Sequence, residues 1–88
     1  MKEIVEEFAN RHPDIVIFYD ETDQLMSVYM RTNGHPRCGR TKFISKDEIK
    51  ALNMSEDSVR IQFKSDLEQM YKELIEYERK QSEQRSPF

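Results

Sequence analysis

The chain has 88 residues, with fourteen Lys and Arg against seventeen Asp and Glu, a net charge of −3, and 36% apolar against 35% charged side chains. A chain of this size is expected to be one small domain without room for a second, burying only about 60 to 65% of its unfolded surface, so stability is expected to be small or to depend on a partner. No stretch approaches the ~18 consecutive apolar residues of a membrane span, residues 1–10 carry alternating Glu instead of a signal sequence, and the lone Cys38 excludes an internal disulfide framework or a multi-cysteine zinc site. The expectation is a cytoplasmic protein with no membrane contact, no metal and no cofactor.

In chain order, Ile4 and Phe8 with Val5 and Ala9 repeat at i, i+4 and predict a short amphipathic helix over 3–11, its early Glu3, Glu6 and Glu7 suiting the helix dipole. Pro13 ends it. Residues 14–20 hold the run Ile15-Val16-Ile17-Phe18-Tyr19, which reads as a central strand covered on both faces. Residues 21–24 turn the chain, and 25–31 supply a second strand with Met26, Val28 and Met30 on one face, forming a hairpin with the first. Thr32-Asn33-Gly34-His35-Pro36 is dense in turn residues and leads to a third strand at about 39–44, completing a three-stranded antiparallel meander.

Ser45 followed by Glu48 matches a capping box for a short helix over 46–52, with a second candidate cap at Ser55. From there Val59, Phe63, Leu67, Met70, Leu74 and Tyr77 step by three or four and predict one long helix to about Gln84. The alternation over 59–63 also fits a fourth strand, with the helix restarting at a Ser65–Glu68 capping box; the continuous stripe favours the single helix. Residues 85–88 read as a disordered tail. The sum is an α+β two-layer sandwich spanning 1–84, with Ile15, Ile17, Val28, Phe43, Phe63, Leu67, Met70 and Leu74 expected in its core.

Charge is segregated along the chain: residues 1–30 carry two basic and seven acidic side chains, 31–50 six and two, and 51–88 six and eight. The basic block offers Arg31, His35, Arg37, Arg40 and Lys42 on a β-hairpin, the kind of protrusion that reaches phosphates. The acids Asp14, Asp20, Glu21 and Asp23 surround the first strand and its turn; they lack the spacing and central Gly of a calcium loop and read as a patch facing a basic partner. On the long helix, Met70, Tyr71, Leu74 and Tyr77 are candidate anchors for a partner or for a homodimer. His35 and Cys38 fall three apart, but two His and one Cys are too few for a tetrahedral zinc site, and two glycines make no phosphate loop.

The order of elements resembles the double-stranded-RNA-binding domain, which implies a two-layer fold and contact with RNA. That family's Gly-Pro-x-His signature and the lysine cluster opening its last helix have no counterpart, since the first hairpin turn and Ser55-Glu56-Asp57 are acidic. The same order resembles small acidic phage-encoded inhibitors, including some anti-CRISPR proteins, which occupy nucleic-acid-binding surfaces of host proteins. The expected function is therefore that of a non-enzymatic interaction protein, of phage or mobile-element type, that binds and modulates or inhibits a host protein. The alternative is a nucleic-acid-binding domain using the basic hairpin, as a helix-mediated dimer.

Overall fold

The structure is a computed structural model that describes residues 1–34 and 39–84, with side chains through Gln81. The elements are α1 (Lys2–Arg11), β1 (Ile15–Glu21), β2 (Leu25–Thr32), β3 (Gly39–Ser45), α2 (Lys46–Ala51) and α3 (Glu56–Gln84). The expected tail at 85–88 and the loop residues His35, Arg37 and Cys38 lie outside the described residues.

Ile4, Val5 and Phe8 form the buried stripe of α1, and Arg11 pairs with Glu7 one turn back on its solvent side. The hairpin β1–β2 pairs Ile15 with Thr32 through Glu21 with Met26, and β3 joins the other side of β2, from Leu25 opposite Ser45 to Arg31 opposite Gly39. The sheet order is β1-β2-β3, so β2 is the central strand and β1 an edge. This corrects the expectation that β1 is central: its unbroken apolar run comes from one covered face and one open face that both carry apolar residues.

Ser45 caps α2 by accepting from the Glu48 N–H at 3.4 Å, and Ser55 caps α3 by accepting from the Ser58 N–H at 3.2 Å. Between them Asn53 takes a left-handed φ of 53°, which its short polar side chain tolerates, and reverses the chain. Residues 59–63 are helical within the single 29-residue α3, because Phe63 continues the stripe that buries Leu67, Met70 and Leu74.

The core is one cluster between α1, α3 and a single sheet face, uniting Ile4, Val5 and Phe8 with Ile15, Val28 and Met30 and with Phe63, Leu67, Met70 and Leu74. Each of these large side chains contributes about 1.5–3 kcal/mol by leaving water. Met26, Val28 and Met30 do share one face, as their alternation predicts, and it is the buried one. Phe43, expected in the core, is 65% exposed: the β2–β3 register sets it opposite Ser27 on the other face. Among the described residues no helix is long and apolar enough to cross a membrane.

Candidate functional site

The four acids proposed as one patch are divided by the strand itself. Asp14 precedes β1 while Asp20, Glu21 and Asp23 cluster at its far end, roughly 20 Å away along an extended chain. Asp14 has a structural role, since it accepts a 2.8 Å hydrogen bond from the Tyr71 hydroxyl and its carbonyl accepts from the Asn33 N–H at 2.9 Å. Glu21 accepts from the Tyr19 hydroxyl at 3.0 Å and meets Lys46 at 3.5 Å. Asp20 and Asp23 are exposed, with no ion pair among the described residues.

The four proposed helix anchors separate in the same way. Met70 and Leu74 are buried in the core, so they are not surface anchors; they sit on the stripe that α3 turns toward the sheet. Tyr71 lies against the rings of His12 (4.2 Å) and Phe8 (6.0 Å), and the hydrogen bond from its hydroxyl to Asp14 holds its ionisation above the ordinary tyrosine value, with burial adding to the shift. Tyr77 alone is exposed, with the Arg40 guanidinium 5.1 Å from its ring centre.

Much of the described basic block is matched from within. Even-numbered residues of β3 point to the covered face, which brings Lys42 to 2.9 Å from Asp66 and Arg40 to 3.9 Å from Glu73, both acids on α3. These acids compete for the two cations that the alternative, nucleic-acid reading assigns to phosphates, Arg40 and Lys42. Arg31 points to the opposite face and has no ion pair among the described residues. His35 and Arg37 lie outside the described residues. Among the described residues no three His, Cys, Asp or Glu side chains come together to hold a metal ion.

What the sequence did not disclose is the uncovered sheet face. The register lines up Val16 with Arg31 and Gly39, then Phe18 with Tyr29 and Thr41, then Asp20 with Ser27 and Phe43. Both α1 and α3 pack on the other face, so Phe18 is 55% exposed here and Phe43 65%. Phe18 and Tyr29 stack, with ring centres 6.1 Å apart and planes inclined by 28°. Three aromatic rings, one from each strand, thus stand on an open face with Asp20 near one end and Arg31 near the other. The parity of Phe18 and Phe43 relative to Ile17 and Ile44 was the available signal, but it becomes decisive only once the covered face is known.

Beside this face, the free side of β1 borders an open groove of about 610 Å³ lined by Met1, Lys2, Glu3, Val5 and Glu6 of the first helix region and by Ile17, Tyr19, Asp20 and Glu21. Burial, the bond to Glu21 and the nearby carboxylates raise the ionisation of Tyr19 well above the ordinary tyrosine value. Comparison with protein families, characterised proteins and solved structures finds no match for this chain.

Proposed function

We propose that this chain is a small non-enzymatic interaction protein that docks on a protein partner through its uncovered sheet face and, by occupying the partner's surface, modulates or inhibits it. The observation that carries this proposal is the exposure of Phe18 and Phe43, beside Tyr29, on a face left open by every helix of the described residues. Exposed aromatic side chains gathered on one face of a sheet are uncommon on a protein that acts alone, and aromatic side chains are enriched where interfaces concentrate their binding energy. Asp20, Glu21 and Asp23 at one end of the sheet would steer a basic partner and set its orientation. The lone Cys38 fits a reducing compartment such as the cytoplasm.

The test is capture from a lysate of the source organism by the parent chain and by the double variant Phe18→Ser, Phe43→Ser, each with and without nuclease. Both substituted residues are exposed, so the variant should keep its circular dichroism and melting temperature. The expected result is a protein retained by the parent in both lanes and lost from the variant. Equal retention by a folded variant would overturn the assignment to this face.

Nucleic-acid binding is the second candidate, favoured by one observation: Arg31 shares the open face with the Phe18–Tyr29 stack, a cation beside rings on which bases can lie. Binding of this kind falls with salt, and Arg31→Ala would flatten the slope for a single strand by about 0.7. A salt-independent signal, or none, would dispose of it.

A further inference from the structure

The hydrogen bonds bracketing the β1–β2 hairpin fix which way each peptide of β1 faces. Thr22 donates to the Leu25 carbonyl at 2.8 Å, and Asn33 to the Asp14 carbonyl at 2.9 Å, so the even-numbered residues of β1 turn their backbone groups toward β2. The N–H and C=O groups of Ile17 and Tyr19 therefore point away from the sheet, and they have no hydrogen-bond partner among the described residues. Such an edge is a template for another strand unless something covers it. Here it opens onto the groove beneath the first turns of α1.

The groove has a definite electrical character. Glu3, Glu6, Asp20 and Glu21 face it against Lys2; Glu21 shares its charge with Lys46 and Glu3 with the Met1 ammonium, while Glu6 and Asp20 have no ion pair among the described residues. Pairing β1 with the same strand of a second copy would bring these carboxylates together, so the lining opposes self-association and favours a cationic strand.

From these two facts we infer that β1 accepts an extended basic segment of a partner protein as a fourth strand of the sheet. Main-chain bonds to Ile17 and Tyr19 supply sequence-independent binding. Specificity follows from alternation. Side chains on the face shared with Ile17 and Tyr19 meet Glu3 and Glu6 and should be Lys or Arg, whereas those on the other face lie beside Val16 and Phe18 and should be apolar. This inference names the chemistry of a partner segment and rests on the reading of the chain as a protein-binding protein, but it uses the strand edge and does not require Phe43.

The test is titration of the isotopically labelled chain with the heptapeptide Lys-Val-Lys-Thr-Lys-Val-Lys, followed by backbone chemical shifts and hydrogen exchange. The Ile17 and Tyr19 amides should shift and become protected, and the double variant Glu3→Lys, Glu6→Lys, both exposed positions, should bind about tenfold more weakly or worse. Phe43→Ser should bind like the parent. The same peptide with Glu replacing Lys should not bind. Absence of protection at Ile17 and Tyr19, equal binding of the acidic peptide, or undiminished affinity in the Glu3, Glu6 variant would overturn the inference. Those outcomes concern the edge alone, whereas failure of the sheet-face assignment is read from the Phe18, Phe43 variant.

Discussion

The ring of Tyr29 lies over Gly39: a Cβ built at position 39 would stand 2.7 Å from the phenolic oxygen and 2.9 Å from Cε2. Tyr29 is directly opposite Thr41, so it reaches Gly39 along the diagonal of the sheet and keeps its other neighbour, Phe18, stacked at 6.1 Å. Gly39→Ala must displace the ring. Because an aromatic side chain can swing, the cost should be near the low end for overpacking, about 1 kcal/mol, or a fall in melting temperature of roughly 4–8 °C. Thermal denaturation and the ring-proton shifts of Phe18 check this, and no change in either would show that the ring does not rest there.

Lys42 and Asp66 join β3 to α3 at 2.9 Å, and Asp66 is only 13% exposed. Lys42→Ala leaves that carboxylate, among the described residues, with the Gln62 amide as its remaining side-chain hydrogen-bond partner, donating to it at 3.1 Å. The expected loss is about 1 kcal/mol, with a double-mutant coupling to Asp66→Ala of about 0.5–1 kcal/mol that shrinks as salt is added. Urea denaturation of the four proteins measures it. Zero coupling at low salt would mean that the pair does not hold the helix to the sheet.

Alkaline pH should destabilise the fold through two tyrosines. Tyr71 is held protonated mainly by its bond to Asp14, and Tyr19 mainly by burial and then by its bond to Glu21, so both ionise above the ordinary value of 10.0 in the folded chain. A proton kept by the folded state and lost by the unfolded one means stability that is complete below about pH 10 and declines as pH rises toward the folded values. Tyr71→Phe should cost about 0.5–1.5 kcal/mol at neutral pH and make the alkaline decline shallower. Denaturation curves from pH 7 to 11 are the measurement, and an identical decline in the variant would refute the assignment.

The far end of α3 should open first. Leu74 is its last buried apolar residue, and the ten residues from Ile75 to Gln84 carry the helix beyond the core. The ion pair between Lys80 and Glu76, at 3.5 Å, contributes only a few tenths of a kcal/mol there. Backbone amides after Leu74 should exchange with solvent well before those at 63–74, as local opening without loss of the core predicts. Uniform protection along α3 would contradict this and point to a covering partner.

The helices were legible because a helix with one buried stripe writes its period into the sequence. Phe63, Leu67, Met70 and Leu74 settle the ambiguity at 59–63 in favour of a helix once the stripe is followed far enough. Ser45 and Ser55 were legible as caps because capping is a local bond. The run within 14–20 is legible as a strand but not as an edge strand, since Val16 and Phe18 on an open face are indistinguishable by composition from residues covered by a second layer.

The order of elements, the helix stripe and the segregation of charge were therefore determined by the sequence itself, because each depends on neighbours within a few residues. Only the tertiary structure decided which sheet face the helices cover, and with it the exposure of Phe43, the burial of Met70 and Leu74, and the pairing of Arg40 and Lys42 with acids on α3. Those outcomes depend on contacts between residues far apart in sequence, such as Lys42 with Asp66, 24 positions on, and Arg40 with Glu73, 33 positions on, and on the choice of one of two faces that the alternation of a strand leaves equivalent.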